Sequence, residues 1–249
     1  DATTTVKGKV LLAPDGGTTA GQAVQANDTR LAAIGSGNLP IGGVVAYSDQ
    51  LSPSGVGFDI GCGNAAVLTD MRTRDLSPST ATMPSEMSYV MDDIAQIINF
   101  GVGGSTGNDD MARNHPIYDD PRWDDVPEWV LALYVRARTQ LGTVGGGNHY
   151  VNVMEDEQGR VWICNHFGSR GLGHAIATGF LNLAKGDPVD ARYQDDMDAP
   201  PVLIPAASAL GEAYNLCRGI AADYALAGRL YVADIVLGIL GVSALDTIN

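Results

Sequence analysis

Apolar residues recur at positions 87, 90, 91, 94, 97 and 98, a three-and-four spacing that predicts an amphipathic helix over 84–100. Helical spacing resumes over 127–141 and stops at Gly142; it returns over 174–184, where Gly186 and Pro188 close it. Two short apolar runs, 151–153 and 160–164, flank the polar turn 155–159 and read as a β-hairpin. Ala65, Ala66, Val67 and Leu68 suit a short buried strand. From 206 to 239 the chain is apolar at near-helical spacing with glycines at 219 and 228, which predicts two or three helices. Turn residues cluster at 15–17, 35–38 and 101–110, a short apolar run starts at Pro40, and 187–205 is an acidic, proline-bearing insertion. Helical and hairpin signals alternate irregularly, so the expected class is α+β and not a doubly wound parallel sheet.

Of the 249 residues 45% are hydrophobic and 18% charged. That supplies a core and excludes a disordered tail, a disulfide mini-scaffold and a collagen-like fibre. Fifteen basic against 29 acidic residues give a formal net charge of −14. The average surface therefore repels polyanions, which excludes a general nucleic-acid coat. A phosphate terminus could still be gripped locally by arginines, a metal ion or backbone N–H groups. Three widely spaced cysteines, Cys62, Cys164 and Cys217, read as reduced thiols. The first residues carry no basic-plus-apolar leader, and no apolar run reaches the length of a membrane span. A soluble cytoplasmic protein with no membrane partner is the expectation.

Four glycines stand among the nine residues from Gly55 to Gly63, around one carboxylate, Asp59, and one thiol, Cys62. Such density disfavours a helix and allows a tight loop that presents both groups together. Carboxylate and thiolate three apart make half a site for a divalent transition metal, although a plain turn with a buried free cysteine has the same sequence. Gly145-Gly146-Gly147-Asn148-His149-Tyr150 places one histidine at the start of the hairpin, and His166 follows its second strand. Neighbours across a ladder meet in this way, which would complete a mixed N/S/O donor set. Gly168-Ser169-Arg170-Gly171 opens a helix, where free N–H groups and one guanidinium could receive a phosphate. His115 and His174 read as surface or capping residues, and Cys164 and Cys217 as core packing.

Taken in order, the segments PIGGVVAYSDQLSPSGVGFDIGCGN, QLGTVGGGNHY and NHFGSRGLGHAIATGFLNLAKG resemble the RtcB family of RNA ligases. The later YALAGRLYVADIVLGIL is similar to the helical segment that follows there, so the resemblance runs from about Pro40 to the C-terminus. It implies layered mixed and antiparallel sheets covered by helices, with a metal cleft between the sheets. The implied activity joins RNA 2′,3′-cyclic phosphate or 3′-phosphate ends to 5′-hydroxyl ends, in tRNA splicing and RNA repair. The implied cofactors are GTP and two Mn²⁺ ions, and a histidine is guanylylated on the way. Matched by motif, Asp59, Cys62, His149 and His166 fall on metal ligands, the thiolate bridging two ions. Asn148 falls beside the GTP phosphates, and Arg170 is a candidate for the RNA phosphate. The implied partners are RNA ends, either tRNA halves or broken RNA.

Departures from the family pattern stand at Asn152, where a glutamate is common, at Phe167 in place of a serine, and at Gly228 in place of the asparagine before Arg229. The chain is expected to be one domain over 1–249 without the family's C-terminal portion, where the guanylylated histidine and a further ligand histidine lie. No histidine follows His174. The expectation is therefore of a chain inactive by itself, with a second chain supplying the remainder as a candidate partner, or self-association over uncovered apolar surface. Two other readings compete: a non-catalytic metal or phosphate binder on the same scaffold, and a methyltransferase whose S-adenosylmethionine loop 58–63 imitates.

Overall fold

The computed structural model describes residues 12–13, 23–25, 45–76, 86–107, 109–194 and 200–249. The turns expected at 15–17 and 35–38, and the apolar run beginning at Pro40 as far as 44, lie outside the described residues. The described chain forms two compact units, one from 1–57 with 177–215 and the other from 58–176 with 216–249.

In the first unit, β1 (Leu12–Ala13), β2 (Ala23–Gln25) and β3 (Val45–Ala46) form a parallel sheet in that order. A second pairing, antiparallel, joins β4 (Gln50–Leu51) to β8 (Ile204–Pro205), so the acidic insertion carries a short strand. The one-turn helix α1 (Pro53–Val56) begins at Ser52, whose hydroxyl accepts the Gly55 N–H, with Pro53 at a first-turn position that needs no donor. Phe180 and Tyr214 meet edge to face in this unit at 5.3 Å between ring centres.

The second unit is built on a four-stranded antiparallel sheet of order β6-β7-β5-β9, from β5 (Gly63–Arg72), β6 (Tyr150–Glu155), β7 (Arg160–Phe167) and β9 (Ala244–Ile248). The expected hairpin is present as β6 and β7. Along β7 burial alternates strictly: Val161, Ile163, Asn165 and Phe167 face the core, whereas Trp162, Cys164 and His166 lie on the half-exposed face. That corrects the reading of Cys164 as core packing, because the period of two assigns it to the face that carries His166. Cys217 is fully buried, as expected. The core of this unit gathers Val67, Ile163 and Phe167 from the sheet, Val90, Ile94 and Ile98 around α2 (Glu86–Ile97), and Val232, Ala233 and Val236 from α7 (Ala209–Leu240).

Where two or three helices were expected over 206–239, α7 is one continuous helix of 32 residues. Each glycine costs ~1 kcal/mol against alanine in a helix, but tertiary burial of a long apolar seam outweighs that. Gly228 serves as a notch: a β-carbon there would sit 3.3 Å from the Phe167 ring. Conversely, the helical spacing over 127–141 yields two short helices, α4 (Glu128–Leu131) and α5 (Tyr134–Gln140), after α3 (Asp110–Arg113). Strand β9 carried no signal in the pattern, being wholly exposed and held to β5 through backbone pairing. The α+β class holds. Among the described residues, no helix is long and apolar enough to cross a membrane.

Candidate metal centre

Asp59 and Cys62 occupy the turn that leads into β5, closed by the Cys62 N–H donating to the Asp59 carbonyl at 2.9 Å. Gly61 within it has φ +72°, and a β-carbon there would come within 2.9 Å of the Ala222 Cα. Only glycine lets this turn lie against α7. The loop enters an antiparallel strand instead of leaving a parallel one for a helix, which removes the methyltransferase reading.

Sheet register builds the opposite side. Tyr150, His166 and Asn64 lie abreast on β6, β7 and β5. Asn64 Oδ1 accepts from the Tyr150 hydroxyl at 3.2 Å and lies 3.1 Å from His166 Nδ1, which therefore carries the ring proton. Its Nε2 is the ring nitrogen left to face the loops. That nitrogen faces the Cys62 Sγ at 3.3 Å and the Asn148 amide nitrogen at 3.3 Å. The Tyr150 ring stacks on His166, 5.8 Å between centres.

His149, one residue before β6, directs Nε2 to Asp59 Oδ2 at 2.9 Å and lies 3.7 Å from the Cys62 Sγ. Its Nδ1 is buried and has no hydrogen-bond partner. The ring is held by packing: a β-carbon on Gly145 would fall 2.1 Å from that nitrogen, so no larger residue fits beneath it. Gly168 plays the same part for Asp59, since a β-carbon there would sit 2.4 Å from the carboxyl carbon.

One donor atom each from Asp59, Cys62 and His149 lies within 4.8 Å of the other two. His166 stands outside that trio yet touches the same sulfur, so Cys62 is common to two groups of donors. All four residues belong to the end of one sheet and the loops beside it, and no strand of another sheet supplies any of them. Burial pushes the Cys62 thiol up to about 12, with the Asp59 carboxylate adding to the rise and the Arg229 guanidinium opposing it. Burial and the neighbouring carboxylate thus keep the proton on sulfur until a cation replaces it. The donor set fits a divalent transition ion.

Arg170 is the one non-glycine residue with positive φ among the described residues, at +56°. Its guanidinium donates to Thr143 Oγ1 at 3.2 Å and to the Gly101 carbonyl at 3.0 Å, neither bond using Nη1. Burial pulls its pKa down, opposed by Asp59. At the start of α6 (Arg170–Lys185) the Gly171 N–H is already taken by Gln140 Oε1 at 3.0 Å. Asn152 is exposed on β6 opposite Cys164. His115 caps a short 3₁₀ turn through Nδ1, and His174 is exposed against Phe58, as expected for both.

Sequence reasoning passed over Asn64 and gave Arg229 no role. Asn64 carried no signal in the sequence, because only the pairing of β5 with β7 puts it opposite His166. Arg229 is a charge within the apolar seam of α7, between Ala225 and Val232.

The sequence model described as tRNA-splicing ligase RtcB matches residues 32–245. An RNA-splicing ligase RtcB of Escherichia coli is 33% identical over 162 residues, which is 61% of this chain and 38% of that protein. A tRNA-splicing ligase RtcB of Archaeoglobus fulgidus is 28% identical over 238 residues, 78% of this chain and 48% of that one. An RNA-splicing ligase RtcB homolog 2 of Entamoeba dispar is 26% identical over 227 residues, 76% and 43% of the two. The chain thus spans less than half the length of these relatives. With most of its residues matched, among them the turn at Asp59, the hairpin and the long helix, this chain belongs to the RtcB family.

Proposed function

We propose that this chain forms the metal-holding part of an RNA ligase that joins 2′,3′-cyclic phosphate or 3′-phosphate ends to 5′-hydroxyl ends in tRNA splicing or RNA repair. The observation that carries the reading is the meeting of the Cys62 sulfur with His149 Nε2 at 3.7 Å and His166 Nε2 at 3.3 Å. Asp59, Cys62 and His149 would hold one Mn²⁺ ion, and Cys62 with His166 a second. Bound manganese and GTP would supply charge neutralisation at phosphate oxygens and an activated guanylate.

The chain's own residues prepare that chemistry. Asn64 accepts from His166 Nδ1, so Nε2 is the ring nitrogen that faces the shared sulfur and is available to a metal ion. Asp59 steadies His149 from the turn, and Gly168 leaves room for its carboxylate. Asn148 is exposed beside His166, where its amide nitrogen could turn to a GTP phosphate oxygen. Arg170 retains Nη1 for an anion, the rest of its guanidinium being engaged with Gly101 and Thr143. The net charge of −14 makes such local grips necessary, because the average surface does not attract RNA.

The test is joining of a labelled RNA with a 3′-phosphate to an RNA with a 5′-hydroxyl, with GTP and Mn²⁺, by the protein that carries this chain. Cys62→Ala is expected to abolish joining. Product formed equally well by that variant removes the reading.

A further inference from the structure

Helix α7 contributes no donor to the centre, yet one of its side chains touches the backbone on both sides of it. Arg229 is 5% exposed. Its Nη1 donates to the Gly61 carbonyl at 2.7 Å and to the Phe167 carbonyl at 2.9 Å. Gly61 immediately precedes Cys62, and Phe167 immediately follows His166. Its Nε donates to Asn249 Oδ1 at 3.0 Å, and the Arg229 carbonyl itself accepts from the buried Asn165 amide at 2.9 Å.

We infer that Arg229 is a positioning residue that fixes the separation of the Cys62 sulfur from the His166 nitrogen, an inference that rests on the metal-site reading above. One nitrogen with two hydrogens at a fixed angle bridges two carbonyls, one in the turn before β5 and one at the end of β7. The spacing of those carbonyls is therefore set by the guanidinium plane. The plane is itself oriented by the Nε bond and by the helix, which Asn165 ties to β7. The β-carbon that Gly63 lacks would lie 3.5 Å from the guanidinium carbon, so the strand start also packs on this group. A lysine keeps the charge but has no planar fork with which to hold both carbonyls in register. Residues that orient ligands from behind in this way are worth about 10–100-fold in metal affinity.

Cobalt(II) titrated into the wild-type chain, with absorbance read for a thiolate-to-cobalt band, separates this inference from the reading beneath it. A wild-type chain without that band loses the metal site and Arg229's role with it. Given the band, Arg229→Lys that folds, judged by circular dichroism and a cooperative melt, is expected to bind cobalt at least about 10-fold more weakly with a diminished band. A folded Arg229→Lys with wild-type affinity and band overturns the positioning role and leaves the metal site standing. If Arg229→Lys does not fold, Asn249→Ala decides, since Asn249 is exposed and its loss frees only Nε. Weaker cobalt binding there supports the inference, and unchanged binding overturns it.

Discussion

Replacing Gly168 by alanine separates metal affinity from stability more cleanly than removing a donor does. The new β-carbon would stand 2.4 Å from the Asp59 carboxyl carbon and Oδ1 and 2.5 Å from Oδ2. Ordinary contact begins near 3.4 Å, so the carboxylate must retreat by about 1 Å. Metal–oxygen distances tolerate about 0.2 Å. The retreat would therefore take Asp59 out of reach of an ion held by Cys62 and His149, and it breaks the 2.9 Å contact with His149. Gly168 does not have positive φ, so alanine imposes no backbone strain there, and reduced freedom of the unfolded chain offsets part of the crowding, by about 0.4–1 kcal/mol. The expected result is a Mn²⁺ affinity lowered by about 10- to 100-fold, by analogy with disrupted ligand support, beside a melting temperature within a few degrees of wild type. Titration calorimetry and thermal melting give the two quantities. Gly146→Ala is the control, because its β-carbon would meet nothing nearer than Val102 at 3.8 Å. Wild-type affinity in Gly168→Ala would refute the assignment of Asp59 as a donor.

Three further outcomes are expected. Burial and then Asp59 raise the Cys62 thiol, so Asp59→Asn should increase its rate of alkylation by iodoacetamide near pH 8, followed by mass spectrometry; an unchanged or slower rate would count against the electrostatic account. Burial raises Cys217 from 9.0 to about 12, so the native state keeps a proton that the unfolded chain gives up. Its contribution to stability is complete below pH 9 and declines as pH rises toward 12, and melts over pH 8–11 should show that decline lessened in Cys217→Ala. Ile163 is fully buried at the centre of β7, and Ile163→Ala should destabilise by about 2–5 kcal/mol in urea unfolding, a loss below 1 kcal/mol indicating that the sheet does not carry the core.

The hairpin, the α2 and α6 helices and the α+β class were legible from spacing alone, since a buried face imposes its period on the residues that line it. Density of glycine around Asp59, Cys62 and His149 marked the loops, because close backbone approach excludes most other residues. Pattern failed where one residue type serves two purposes. Glycines at 219 and 228 read as breaks because local propensity disfavours them in a helix, whereas the neighbours they admit, Arg122 and Phe167, are visible only once the chain has folded. Strand β9 has no buried face and so left no period to read.

Chemistry divides in the same way. The kinds of donor, a sulfur, an oxygen and two imidazoles, were written in the residues, and so was their grouping into three segments. Their convergence was not, because segments about a hundred positions apart come within 4 Å only through the pairing of β5 with β7 and β7 with β6. The support behind the donors was less legible still. Asn64 takes its meaning from standing opposite His166, Gly168 from the carboxylate lying against it, and Arg229 from two carbonyls, one in the Asp59–Cys62 turn and one at the end of β7. Each depends on distances between backbones, which composition and periodicity do not encode and close packing does.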